Sequence, residues 1–344
     1  MNVLVTGGAG YIGSHAAQTL LAQGHKVVVV DNLFRGHARA IERLRESVDG
    51  ETRKRFHFVE ADMGDRPRMA KLMAEHAIEA VMHFAALAYV GESVTEPLVY
   101  HHNNTGSAIE LLRACDEAGV GKFVFSSTCA TYGEPDAVPI AETEKQSPIN
   151  PYGWSKLHVE RVLHDHAEAC RRTGKKFGYA ALRYFNVAGA DPTGVLGEWH
   201  QPESHLIPIV LEVAQGKREK VTVFGEDYDT PDGTCIRDYV HVTDLVEAHA
   251  LVLGKLEPGD ERIYNVGIGN GYSVREVIES ARRVTGHAIP EVAGERRPGD
   301  PPKLFADPSR IKSELGWEAR FTDLDETVAT AWRWFEANPK GYDA

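Results

Sequence analysis

Four glycines fall within nine positions directly behind an apolar run: Val3-Leu4-Val5 is followed by Thr6-Gly7-Gly8-Ala9-Gly10-Tyr11-Ile12-Gly13. Glycine disfavours both strand and helix interiors, so a chain that places three of them as Gly7, Gly10 and Gly13 is making a tight turn there. Ile12, Ala16, Ala17, Leu20 and Leu21 then follow at helical spacing until Gly24. A strand, a glycine turn and a helix in that order leave free N–H groups and the positive end of a dipole at the helix start, where a pyrophosphate can sit. Asp31 closes the next apolar run, Val27 to Val30, eighteen residues past Gly13. An acid at that place bonds the ribose hydroxyls of a dinucleotide and repels the extra phosphate of NADP, so the pattern predicts NAD. Arg35 is the nearest basic side chain that could receive such a phosphate, but no arginine replaces the acid itself.

The rest of the chain fits that start. Val27 to Val30, Phe56 to Val59, Ala80 to Phe84 and Lys122 to Phe125 are apolar throughout, separated by helix-like sequence. Such runs predict strands of a parallel sheet covered on both faces, an α/β fold of the doubly wound Rossmann type. A chain of 344 residues exceeds what one core usually serves. From about Arg183 the loops lengthen and Gly and Pro cluster, so a second, smaller mixed α/β lobe is expected, with domains 1–184 and 185–344. The net charge of -12 speaks against a protein that neutralises nucleic-acid phosphates. No apolar run approaches the roughly 20 residues of a membrane span, and the first residues lead straight into a strand rather than a signal peptide. Four scattered cysteines without a CxxC pair suit reduced thiols, so a cytoplasmic location is expected and neither a disulfide framework nor a zinc knuckle is.

Two further constellations carry chemistry. In Pro151-Tyr152-Gly153-Trp154-Ser155-Lys156 the tyrosine and lysine stand four apart, one helical turn on the same face. A unit charge at about 4 Å in an effective dielectric near 20 contributes on the order of 4 kcal/mol, enough to bring a tyrosine toward the range of a general base. Ser126-Ser127-Thr128 end the fifth strand, and ligands of open parallel sheets bind beyond the carboxyl ends of the strands. A hydroxyl, a phenol and an ammonium are therefore expected beside the cofactor.

These blocks, with "HFAA", "LRYFNVAGADP", "ESHLIP", "DGTCIRDYVHV", "YNVG" and "RRPGDPPKL", occur in the order found in the UDP-galactose 4-epimerases. The chain resembles that family, part of the extended short-chain dehydrogenase/reductase superfamily, over nearly its whole length. The resemblance implies a tightly held NAD, used and regenerated within one turnover, and a UDP-sugar whose C4 centre is oxidised to a ketone and re-reduced on the other face. It makes Tyr152 the acid/base, Thr128 its partner on the sugar oxygen, and Lys156 the residue that tunes the tyrosine and holds the ribose. Cofactor contacts are implied at Gly7, Gly10, Tyr11, Ile12, Gly13, Asp31, Asn32, Asp62, Met63, Phe84, Ala85, Ala86, Asn103, Ser126 and Phe185, besides Tyr152 and Lys156. Substrate contacts are implied at Asn186, Leu206, Thr222, Phe224, Arg237, Arg297, Asp300 and Leu304, besides Thr128. No metal is required, and a homodimer is implied, pairing through 103–117 and 152–170.

The sequence departs from the family in places. Ala88 replaces a common lysine, and Ser204-His205 replaces a tandem asparagine pair, which makes His205 a candidate sugar contact. Cys129-Ala130 follow Thr128 where related dehydratases carry Asp-Glu, and neither residue can move the proton that elimination needs. An NAD-sensing regulator would keep the glycines but has no need of the Tyr152–Lys156 pair. The remaining alternative is a 4-epimerase for an N-acetylated UDP-sugar or a UDP-pentose. Leu304 bears on it: the resemblance places that position against the sugar, where a tyrosine excludes an N-acetyl group and a small residue admits it.

Overall fold

The computed structural model describes residues 1–297 and 300–343. The chain forms two compact units, each discontinuous in sequence, where two contiguous domains meeting at 184/185 were expected. The first comprises Met1–Gly133, Lys145–Arg183 and Val246–Tyr264; the second comprises Glu134–Glu144, Tyr184–Leu245 and the chain from Asn265 onward. Pairing at a distance is the reason. Ile140 bonds backbone to backbone with Phe305 and Asp307, which draws 134–144 into the second unit. The strand Glu261–Val266 joins the large sheet at its far edge, which draws the segment before it into the first.

The large sheet contains β1 (Asn2–Thr6), β2 (Lys26–Asp31), β3 (Phe56–Glu60), β4 (Ala80–His83), β5 (Lys122–Thr128), β6 (Gly178–Tyr184) and Glu261–Val266. Reading across it, the order is Glu261–Val266, β6, β5, β4, β1, β2, β3. The β1–β2, β1–β4, β2–β3 and β4–β5 pairs are parallel. Val3 to Val5 and Val27 to Val29 are fully buried, as residues between two helical layers must be. The chain runs outward from β1 through β2 to β3 and then crosses back to place β4 on the other side of β1, so the strand order reverses there and the carboxyl ends of β1 and β4 border the switch-point crevice. The apolar core of this unit runs from Leu4 and Val28 through Leu111, Phe123 and Leu163.

Among the described residues the second unit has three small sheets. Asn186–Ala188 runs parallel to Tyr239–His241, and Val221–Phe224 runs parallel to Glu291–Gly294. Ile236–Arg237 lies between Tyr272–Ser273 and Lys303–Leu304. The helix Val274–Thr285 opens with a capping box made by Ser273 and Glu276 and packs on the helix Leu324–Ala337. All four cysteines are free thiols, and among the described residues no helix is long and apolar enough to cross a membrane.

Candidate active site

The first unit builds a phosphate cradle at the end of β1. Gly7 has a φ of +71°, and a Cβ there would come within 2.5 Å of the Ala85 backbone. A Cβ on Gly13 would meet the Gly7 carbonyl at 2.2 Å, so both positions exclude any larger residue. Gly10 starts the helix Tyr11–Ala22 without a side-chain cap, and the first turn carries no acidic side chain. A helix start without a side-chain cap or an acid in its first turn leaves its first N–H groups for a ligand, which fits a pyrophosphate.

Asp31 ends β2 and is 8% exposed. Its carboxylate accepts from the backbone N–H of Ala9 (3.0 Å) and of Leu33 (2.8 Å). Burial pushes its pKa up, and those two bonds work against that rise. Arg35 is paired with Glu92 at 2.6 Å and lies over the Tyr89 ring, so its charge is already balanced by an acid. Asn32 donates to Asp62 at 3.2 Å, and Asp62 in turn caps the backbone of Gly64. This places the Asp31, Asn32, Asp62 and Met63 region in one hydrogen-bonded rim beyond β2 and β3. Phe84, Ala85 and Ala86 continue β4 past its end, half-buried, while Ala88 is exposed.

Asn103 sits in a π-helical stretch, His101–Gly106, a form that occurs mainly as short functional bulges. Its side chain donates to Asn104, which is buried and acts as a hub. Asn104 bonds both backbone groups of Leu87 (2.8 and 2.9 Å) and Ser155 Oγ (3.0 Å). The loop after β4 is thereby tied to the helix that carries Tyr152.

That helix, Pro151–Thr173, is capped by Asn150, whose side chain accepts from Gly153 at 2.8 Å, with Pro151 at its first position. Tyr152 is 8% exposed and packs with Leu87 and Tyr100. Lys156 is 3% exposed, donates to the Ser126 carbonyl at 2.9 Å and lies over the Phe125 ring. Burial pulls its pKa down to about 7. Ser126 therefore meets the lysine through its backbone. Thr128 is 6% exposed, and its hydroxyl oxygen accepts from Ala130 N–H at 3.1 Å, leaving the hydroxyl proton to donate. Gly153 allows the contact between these two pieces: a Cβ there would lie 2.5 Å from the Ala130 carbonyl oxygen.

Several supporting residues carry no local sequence signal. Glu160 and Arg183 form a buried ion pair (2.6 Å), and Glu160 also holds Ser127 Oγ at 2.5 Å. His83 is buried against Thr6 Oγ1 and Phe125; burial, then the nearby Lys156 charge, lower its pKa to about 3, so it is neutral. Only the fold brings these groups under the strand ends.

The second unit gathers most of the implied substrate residues. Arg237 is 9% exposed and ion-paired with Asp300, while it also donates to the Ile236 carbonyl at 2.8 Å. Asp300 N–H bonds the Arg297 carbonyl at 3.3 Å, and the Arg297 guanidinium lies 4.1 Å over the exposed Phe224 ring. Leu304 pairs with Arg237 in parallel register. Thr222 precedes Phe224 by two on the same strand and so shares its face. Asn186 donates through its backbone to Asp238, and Phe185 beside it is buried. Leu206 is the first residue of the helix Leu206–Ala214. His205, just before it, is tied by its Nδ1 to Glu203 (2.9 Å) and Glu198 (3.1 Å). Pro298 and Gly299 of the "RRPGD" block lie outside the described residues.

Residues 3–267 match the model of the NAD dependent epimerase/dehydratase family. The chain belongs to that family. A UDP-glucose 4-epimerase of Halalkalibacterium halodurans is 48% identical over 345 residues, covering 99% of this chain and 98% of the relative. A probable UDP-arabinose 4-epimerase of Oryza sativa subsp. japonica is 47% identical, covering 99% of this chain and 84% of its own. Among solved structures, a UDP-glucose-4-epimerase of Stenotrophomonas maltophila with bound NAD and formylated UDP-arabinopyranose superimposes with a TM-score of 0.91 at 45% identity, covering 99% of both chains. Family membership agrees with the glycine cradle, Asp31 and the Tyr152–Lys156 helix, all of which lie within the matched span. Arg297, Asp300 and Leu304 lie beyond it.

Proposed function

We propose that this chain is a UDP-sugar 4-epimerase that interconverts UDP-galactose and UDP-glucose with NAD held in the first unit. One observation carries the reading: Tyr152 and Lys156 share a helix whose start is fitted, through Gly153, against the turn that follows Thr128, in the same unit as the glycine cradle. Full-length similarity to UDP-glucose 4-epimerases supports it.

Gly7, Gly10 and Gly13 would receive the pyrophosphate on backbone N–H groups, with Tyr11 and Ile12 in the same turn. Asp31 and Asn32 would hold the adenosine ribose, Asp62 and Met63 the adenine. Phe84 to Ala86, Asn103, Ser126 and Phe185 would line the remainder. When bound, NAD supplies the redox step at the sugar C4, taking a hydride and returning it to the opposite face. The chain handles the proton. Tyr152 Oη accepts it from the 4-hydroxyl and later returns it. Thr128, whose oxygen is occupied by Ala130 N–H, donates its own proton to the same sugar oxygen. In its protonated form Lys156 favours the phenolate by charge. In the second unit Arg237 and Arg297 would clamp the diphosphate, whose planar forks suit phosphate oxygens. Phe224 offers an exposed ring for the uracil, with Asn186, Leu206, Thr222, Asp300 and Leu304 about the nucleotide and sugar. His205 is retained as a sugar contact through the ring edge that the glutamates leave open.

Incubating the purified chain with a panel of UDP-sugars, without added NAD, and separating the epimers tests this reading. UDP-galactose and UDP-glucose should equilibrate. Protein that is free of cofactor and stays inactive when NAD is supplied contradicts it.

A second reading, a 4-epimerase acting on UDP-arabinose, is favoured by the similarity to the Oryza protein. The same panel separates the two, since each makes a different nucleotide sugar the fastest substrate. Leu304→Tyr refines the result: it should suppress UDP-N-acetylgalactosamine and spare the plain hexose. The chain is further read as a cytoplasmic homodimer.

A further inference from the structure

Glu198-Trp199-His200-Gln201-Pro202-Glu203-Ser204-His205 folds back on itself in the second unit, ahead of the helix Leu206–Ala214. Its two carboxylates are buried, with side chains 6% (Glu198) and 3% (Glu203) exposed. Each faces both imidazoles. His205 Nδ1 lies 2.9 Å from Glu203 Oε1 and 3.1 Å from Glu198 Oε1. His200 Nδ1 lies 3.3 Å from Glu198 Oε1 and 3.4 Å from Glu203 Oε2. One donor atom from each of the four residues lies within 4.8 Å of every other.

We propose that Glu198, His200, Glu203 and His205 form a structural site for a divalent transition-metal ion, with zinc the best match. Geometry is the first reason. Tetrahedral zinc with bonds of about 2.0–2.2 Å to nitrogen and oxygen needs donor atoms about 3.3–3.5 Å apart. The four nitrogen–oxygen separations, 2.9 to 3.4 Å, are close to that spacing, with Glu203 facing His205 through Oε1 and His200 through Oε2, so one carboxylate oxygen has to turn toward both rings to complete the set. Charge is the second. Two buried carboxylates carry two negative charges that need a counter-charge beside them, and one divalent ion held by neutral imidazoles supplies it as fully as two imidazolium ions do. Orientation is the third. The backbone N–H groups of Ser204 and His205 donate to Glu203 Oε1 at 2.7 and 2.8 Å, the outer-shell bonding that aims a metal-ligating carboxylate. Two nitrogens and two carboxylates suit zinc better than magnesium or calcium, which take oxygen donors in larger numbers.

The ion would join the loop to the helix after it. His205 occupies the N-cap of Leu206–Ala214 yet makes no side-chain cap bond to it, where Ser, Thr, Asp or Asn are preferred. Its ring serves the cluster instead. Four protein donors complete a tetrahedron, so the site is closed and structural rather than catalytic. The competing occupant is protons, which would leave the two histidines as imidazolium ions between the same carboxylates.

Metal content decides between them. The full chain, without added tag histidines, is saturated with zinc chloride, dialysed, and measured by plasma mass spectrometry. About one zinc per chain is expected for the wild type, and below about 0.2 for His200→Ala/His205→Ala and for Glu203→Gln. The zinc-loaded wild type should also melt at least ~4 °C above the chelated protein. Should a variant fail to fold, the wild type loaded with cobalt gives the answer, because a tetrahedral site shows intense ligand-field absorption that one equivalent of zinc abolishes. Wild-type zinc below about 0.1 per chain, equal zinc in the Glu203→Gln protein, or cobalt bound without tetrahedral absorption each overturns the proposal.

Discussion

Tyr152 and Lys156 are both buried, 8% and 3% exposed. A lysine in the protein interior gives up its proton readily, and Lys156 comes down to about 7. If Tyr152 is the acid/base, Tyr152→Phe should lower turnover by about 10²- to 10⁴-fold while UDP-sugar affinity, read by calorimetry, changes little. Unchanged turnover would remove the phenol from the mechanism. Lys156 gives a stability test as well. Between pH 7 and the ordinary lysine value of 10.5 the folded chain binds fewer protons than the unfolded one, so stability rises with pH across that window. The cost of the buried ammonium is fully present below about pH 7. In cofactor-stripped protein, Lys156→Met should therefore be more stable than wild type to urea near pH 6, with a gap that closes toward pH 9.5. A gap independent of pH would show that burial does not hold the lysine near neutrality.

At the scale of elements, the site depends on how closely the helix Pro151–Thr173 approaches the turn after β5. Gly153 sits at that contact. Alanine is the better helix former by about 1 kcal/mol, so Gly153→Ala would stabilise an exposed helix. Here its Cβ would stand 2.5 Å from a backbone oxygen and 3.0 Å from Pro148, with no flexible side chain to yield. Overpacking of that kind costs about 1–3 kcal/mol, which outweighs the propensity gain. Gly153→Ala should lower the denaturation midpoint and cut turnover more than it raises KM, because Thr128 and Tyr152 are pushed apart. A variant more stable than wild type would mean that the helix and turn have slack.

For the whole molecule, the exposed apolar side chains are unevenly placed. Leu98 is 82% exposed and Val94 62%, on two short helices that pack against Pro151–Thr173, and that helix itself exposes Trp154 at 42%. Large apolar side chains gathered on one group of helices mark an interaction surface. A homodimer through this face should show twice the 37.9 kDa chain mass by light scattering at micromolar concentration. Leu98→Glu combined with Trp154→Ala should return it to a monomer. A wild type that is monomeric at that concentration removes the dimer reading.

What the sequence determined by itself is what local spacing can encode. Gly7, Gly10 and Gly13 must turn tightly between a strand and a helix, Asp31 must stand at the end of the next strand, and Tyr152 and Lys156 must share a helical face. Each is a relation within some twenty residues, readable from backbone sterics and helical period alone, and the structure has the elements in those places. The tertiary structure decided what depends on distant partners. It made both units discontinuous by pairing Ile140 with 305–307 and adding Glu261–Val266 to the sheet. It turned Arg35 onto Glu92, closed Arg237 on Asp300, and made Asn104 a hub between the loop after β4 and a helix. Even the Glu198–His205 cluster, compact in sequence, follows no helical or strand period. Whether its four side chains converge is set by an irregular loop, and irregular backbone takes its path from the packing around it rather than from its own residues.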